Sequence, residues 1–149
     1  MATRSYIGKV NNDGTFTYIY CHNNGDVDCN GRTLMDFYTN TDKIDDLLAL
    51  GSISSLRQDV SPPKEKEHTF DKPLSYVTVA YTRDRGESPW GPYTTNDLNR
   101  FVESTARDGD IEYIYVFGEY GWEVYCVREP KNIRHEYVRH YLEESNFDW

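Results

Sequence analysis

The sequence has no apolar run approaching the roughly 20 residues that a membrane-spanning helix needs. Met1-Ala2-Thr3-Arg4-Ser5 leads straight into a strand-like stretch, with no hydrophobic segment of the signal-peptide kind. The expectation is a cytoplasmic protein with no membrane contact. Cysteine is sparse as well. Cys21, Cys29 and Cys126 are odd in number, and their spacing builds no disulfide framework, so free thiols in a reducing compartment are expected. Basic residues are too few for a nucleic-acid surface. Sixteen Lys and Arg stand against twenty-five Asp and Glu, a net charge of −9. Residues 91–149 hold 6 basic and 12 acidic residues and so carry most of that excess. Direct binding to a nucleic-acid backbone needs clustered Lys and Arg, and the expectation is that there is none. Catalytic signatures are missing too. There is no Gly-x-Ser-x-Gly, no GxGxxG and no GxxxxGK[ST], and His22, His68, His135 and His140 have no metal-hydrolase spacing.

Aromatic residues are abundant. Thirteen Tyr, six Phe and three Trp supply much of the apolar content, while Met occurs only twice. A tyrosine buries a large ring but needs a partner or water for its hydroxyl, which places many of these rings at the boundary of the core. With 149 residues, 38% hydrophobic and 28% charged, the chain fits a single domain, 1–149.

Periodicity divides the chain into α and β segments. Residues 5–10 and 15–21 are β-rich and flank Asn12-Asp13-Gly14, a strong turn, so a hairpin is predicted there. Phe16, Tyr18 and Tyr20 share one face of the second strand and Thr17, Ile19 and Cys21 the other. Short helices are expected around 34–38 and over 42–50, the latter stopped by Gly51. Residues 57–73 combine three prolines with a mixed charge run and read as a mobile connector. A strand is expected over 75–81, followed by a helix from the capping pair Thr94/Asp97 to Gly109. A second hairpin is expected over 111–117 and 122–127, and an amphipathic helix over 133–144. The fold class is α+β, a mostly antiparallel sheet of about five strands with helices packed on one face.

Three constellations deserve a chemical reading. Asp26-Val27-Asp28-Cys29-Asn30-Gly31 opens like a calcium loop, but Phe37 occupies the twelfth position where a bidentate Glu belongs. Turn chemistry explains the same letters, so no metal and no cofactor are expected. Cys21-His22 could supply a thiol and a base, yet neighbours on a strand point to opposite faces, so a structural Cys beside a loop His is expected. The third is the loop Arg83-Asp84-Arg85-Gly86-Glu87 with Trp90 and Tyr93. Two guanidinium forks beside aromatic rings would suit a small anionic ligand such as a nucleotide, with Arg83 and Arg85 on phosphate and Trp90 or Tyr93 stacking. The competing reading is a surface loop in which Asp84 and Glu87 neutralise both arginines.

Several blocks carry a resemblance. These are Ala2-Thr3-Arg4-Ser5, Ile19-Tyr20-Cys21-His22, Gly31-Arg32-Thr33-Leu34, Leu48-Ala49-Leu50-Gly51 with Ile53-Ser54-Ser55-Leu56, and Val77-Thr78-Val79-Ala80-Tyr81 with Arg83-Asp84-Arg85-Gly86-Glu87. Together they resemble a family of small proteins encoded by bacteriophages and bacteria, to which no activity attaches. Members of that family carry Trp-Asp-Gly-Tyr after the Cys-His pair, where this chain has Asn23-Asn24-Gly25-Asp26. The resemblance implies an accessory factor that acts by binding, as an inhibitor of a host protein or defence system. Sequestration of a small anionic nucleotide is the alternative, and an enzyme with a site assembled only in space is the third reading.

Overall fold

A computed structural model describes residues 2–147. The α+β class holds, but the sheet is larger and more mixed than the periodicity implies. Strands β1 (Ser5–Val10) and β2 (Phe16–Cys21) form the first hairpin in antiparallel register, with Ile7 opposite Ile19. Its turn closes through the Asn11 amide on the Thr15 carbonyl and the Thr15 amide on Asp13 Oδ1, with Gly14 at φ 87°. A five-residue π-helical turn over Val27–Gly31 then feeds helix α1 (Arg32–Phe37), and α2 (Thr41–Ala49) follows. β3 (Ile53–Ser55), β4 (Val79–Ala80), α3 (Tyr81–Arg85), β5 (Tyr93–Thr95) and α4 (Leu98–Asp108) make up the middle of the chain. The second hairpin is β6 (Tyr113–Gly118) with β7 (Gly121–Cys126), and β8 (Arg134–Tyr137) runs into α5 (Val138–Phe147).

Eight strands join in the order β4-β3-β2-β1-β6-β7-β8, and β5 pairs with β2 off that path. The outer edge of β2 is shared. β5 takes residues 16–18 in antiparallel register, and β3 takes Cys21 in parallel register. The central join is also parallel, β1 against β6. Both hairpins are as expected, whereas the mostly antiparallel five-stranded sheet is corrected to a mixed sheet of eight.

Local corrections have local causes. Only Val79–Ala80 of the segment 75–81 is strand, because Tyr81 already begins α3. The start of the helix expected over 133–144 is instead the edge strand β8, which borrows its register from β7. Asp97 itself caps α4, accepting the Arg100 amide at 3.1 Å, while Thr94 lies in β5. Residues 57–73 have no regular structure but are hydrogen-bonded to their surroundings. The Asp59 carbonyl accepts the Thr78 amide, and the Phe70 amide donates to the Asp84 carbonyl.

Helices cover both faces of the sheet rather than one. On the first face Ile7, Ile19, Tyr115, Trp122 and Val124 pack against α1, α2 and α5 through Leu34, Ile44, Leu47, Val138 and Leu142. On the second, Phe16, Ile114 and Val116 pack against Val102 and Ala106 of α4. A single row of alternating side chains feeds both layers because successive strand residues point to opposite sides. Gly8 lies on the second face. A Cβ there would stand 2.3 Å from the Thr17 carbonyl oxygen and 2.7 Å from the Phe16 ring, so the absent side chain makes room for that ring. No helix among the described residues is long and apolar enough to cross a membrane.

Candidate functional site

α4 covers only part of the second face, and beside it the sheet presents a row of tyrosines. Tyr6 of β1 stands directly opposite Tyr20 of β2, and Tyr18 is two residues along the same face. Tyr93 of β5 is the cross-strand partner of Tyr18. The rings therefore form a chain: Tyr93 to Tyr18 at 5.7 Å between centroids, Tyr18 to Tyr6 at 5.0 Å, Tyr6 to Tyr20 at 6.4 Å and Tyr20 to Trp90 at 5.3 Å. Phe101 of α4 closes one side, 4.4 Å from Tyr18 and 5.3 Å from Tyr6. The four tyrosines and Trp90, with Arg4, Asp110 and Ile111, line a groove of about 440 Å³.

Trp90 is held at its place by backbone. Its carbonyl accepts the Ser52 amide at 2.7 Å, and a Cβ at Gly51 would come within 2.8 Å of that carbonyl oxygen. Gly91 takes a left-handed φ of 81°, a conformation that side chains other than glycine adopt only with strain. Arg4 is fixed through its backbone, where its carbonyl accepts the Glu112 amide at 3.0 Å. Trp90 and Tyr93 remain 41% and 40% exposed, which is high for large rings in contact with other rings. Burial raises the phenols of Tyr6, Tyr18 and Tyr20 above the ordinary tyrosine value. The carboxylates of Asp108 and Asp110 add to the rise at Tyr6, and Arg4 opposes it at Tyr20. These phenols therefore stay neutral at physiological pH. They offer hydrogen-bond donors and ring surface, not bases.

Trp90 and Tyr93 come together in this groove, but Arg83 and Arg85 do not line it. The Arg83 guanidinium is used internally: Nε and Nη2 bond the Asp84 carboxylate at 2.9 and 3.0 Å, Nη1 the Val60 carbonyl at 2.6 Å and Nη2 the Thr78 carbonyl at 2.7 Å. Arg85 pairs with Glu87 and lies 4.1 Å over the Phe70 ring. Asp84 and Glu87 thus neutralise both arginines, as the competing reading had it, but Arg83 to Arg85 lie on helix α3 with Asp84 buried rather than on a surface loop. The cation in the groove is Arg4, which sequence reasoning passed over, along with Asp110. The available signal was the one-face alternation of Tyr18 and Tyr20, more tyrosine than a closed core would hold.

The other two constellations behave as scaffold. Cys21 is fully buried, its sulfur 3.4 Å from the Asn23 carbonyl and accepting from Asn30 Nδ2 at 3.4 Å. The His22 ring instead bonds the Tyr20 hydroxyl at 2.7 Å, so thiol and imidazole part company. Asp26 pairs with Arg128 at 3.4 Å and Asp28 with Arg32 at 3.6 Å. His135 lies on β8, not on a helix, stacked 3.9 Å from Tyr125 and bonded to Glu123 at 2.8 Å. Comparison of the chain with protein-family models, with curated proteins and with solved structures finds no match.

Proposed function

We propose that the protein works by binding, as a small acidic accessory factor of the bacteriophage type that occupies a host protein through the aromatic groove and thereby inhibits it. The observation that carries this reading is the unbroken series of rings from Trp90 to Tyr93, partly buried on the sheet between two exposed ends. Contiguous exposed aromatic surface rimmed by polar groups marks interaction sites. Tyrosine and tryptophan supply large contact area at little cost in conformational entropy and dominate binding energy at interfaces. The groove offers rings, one guanidinium and one carboxylate, a set suited to recognition. Arg4 at the Tyr20 end supports a second reading, a nucleotide stacked on the rings with its phosphate on that guanidinium.

The test compares wild type with the Trp90→Ala/Tyr93→Ala double variant. Each is used to capture partners from bacterial lysate, and the captured protein is then purified and titrated by calorimetry. The expected result is a partner that binds wild type and loses at least about tenfold in affinity with the double variant, the scale of two interface aromatics. A partner held equally by both proteins would place the interface elsewhere. A nucleotide retained by wild type and by no variant would favour the second reading.

A further inference from the structure

We propose that the groove selects a cationic segment of its partner, seating an arginine or lysine side chain against the Trp90, Tyr20 and Tyr6 rings with Asp110 as its counter-ion. This inference rests on the groove being the binding surface, and it adds the chemistry of the occupant.

The rings meet at widely different angles. Tyr20 and Trp90 are inclined by 29°, Tyr6 and Tyr20 by 70°, and Tyr6 and Tyr18 by 62°. Rings so inclined cannot all turn their edges the same way, and the negative face of an aromatic ring attracts a cation. The chain already uses that contact in its own structure, with Arg85 over Phe70 at 4.1 Å and Arg134 over Tyr141 at 4.4 Å.

The charges around the groove point the same way. Asp110 lines it and enters no ion pair among the described residues. Asp108, at the end of α4, also bears on the Tyr6 hydroxyl. The cation lining the groove is Arg4, and both it and Asp110 bear on Tyr20. At longer range the net charge of −9, concentrated in residues 91–149, steers basic segments inward and repels phosphates and acidic peptides. The arginines that could have turned the local field positive are spent elsewhere: Arg83 on Asp84, Arg85 on Glu87, and Arg128 on Asp26 and Glu112. An anion would meet one guanidinium and one carboxylate in the groove, with the negative field of Asp108 behind them. A cation meets the rings and finds a free carboxylate beside them.

Calorimetry with defined peptides tests this without the natural partner. Four copies of Gly-Ser-Arg, capped at both ends, are titrated into the full chain beside the lysine, glutamine and glutamate versions and beside AMP. The arginine peptide is expected to bind about tenfold more tightly than the glutamine peptide. Trp90→Ala and Asp110→Asn are each expected to weaken it by about three- to tenfold, with circular dichroism confirming that both variants fold. Raising the salt from 50 to 500 mM should reduce the difference between the arginine and glutamine peptides, because screening reaches the exposed carboxylate. Equal binding of the arginine and glutamine peptides would overturn selection of a cation while leaving the groove as a binding surface. So would preference for the glutamate peptide or AMP. Binding of the arginine peptide untouched by Trp90→Ala would place the acidic contact outside the groove and overturn the proposal. No heat from any basic peptide at millimolar concentration would overturn it as well. The double variant Trp90→Ala/Tyr93→Ala, assayed for partner capture, tells failure of this inference from failure of the groove itself.

Discussion

Replacing Asp84 with alanine should loosen the segment 57–73 from the body of the protein. The Asp84 side chain is 3% exposed and collects four hydrogen bonds. Two come from Arg83 at 2.9 and 3.0 Å, one from the Ala80 amide at 2.8 Å and one from His68 Nε2 at 3.2 Å. His68 is itself fixed within the segment, because its Nδ1 accepts the Leu74 amide at 3.0 Å. That bond leaves the proton of the neutral ring on Nε2, where it faces Asp84 and the Thr78 carbonyl. Losing the carboxylate strands a buried amide and part of a guanidinium, and leaves the imidazole N–H only the Thr78 carbonyl. Breaking a buried charged pair from one side costs about 3–5 kcal/mol. Arg83 is 26% exposed, and water can recover part of its share, so the lower end of that range, about 3 kcal/mol, is expected. For a chain of this size that corresponds to a fall in Tm of roughly 6–12 °C. Urea denaturation followed by circular dichroism measures the loss, and limited proteolysis should show faster cleavage within 57–73. The pH dependence has a definite sign. Burial pushes the Asp84 carboxyl up, but the hydrogen bonds from Arg83 and the Ala80 amide, with the Arg83 charge, outweigh it and hold the group below its ordinary value of 3.8. Its contribution is therefore complete above that value and disappears as pH falls through the lower folded one. The gap between wild type and Asp84→Ala should be constant near neutrality and close in strong acid. A loss below about 1 kcal/mol with unchanged proteolysis would refute the anchoring role, since that is the worth of a single ordinary hydrogen bond.

Gly8→Ala should destabilise by about 1–3 kcal/mol through overpacking against the Thr17 carbonyl and the Phe16 ring, measured in the same urea titration; wild-type stability would show that the hairpin yields freely. Burial pushes the Cys21 thiol up to about 11, so iodoacetamide at pH 8 should label the exposed Cys29 and leave Cys21 unmodified until the protein unfolds, as read by peptide mass spectrometry. Millimolar calcium should leave Tm unchanged, because Asp26 and Asp28 already pair with two different arginines and Phe37 stands where the bidentate Glu belongs; a rise with calcium but not magnesium would contradict this.

What could be read from the sequence was what local chemistry decides. The alternation of Phe16, Tyr18 and Tyr20, and the Asn-Asp-Gly turn before them, specified the first hairpin without help from the rest of the chain. Helix α2, with its amphipathic Ile44, Leu47 and Leu48 and its stop at Gly51, was legible for the same reason. The parallel joins of β1 to β6 and of β2 to β3 were not, since no local signal names a partner strand that far along the chain. β8 escaped because Arg134-His135-Glu136-Tyr137 has no apolar alternation, and its extended backbone is set by β7 alone. The groove was half legible. Trp90 and Tyr93 stood out as aromatics on a loop, but the cation expected beside them was chosen by proximity in sequence. Arg83 and Arg85 turn back into α3 and its neighbours, while Arg4 and Asp110 arrive from a hundred residues apart.

The parallel join at the centre of the sheet also dictates an order of assembly. Ile7 lies beside Tyr115, so β1 has one neighbour at once, in its own hairpin, and waits for the other until roughly a hundred more residues have been made. During synthesis the hairpin emerges early with its inner edge unpaired and its aromatic face uncovered. It stays exposed to chaperones and to stray pairing until β6 closes on it. Closing so long a loop before its contacts are repaid predicts folding on the slow side for a chain of this length. It also means that cutting the chain between α4 and β6 should yield no folded half, only a hairpin without its centre.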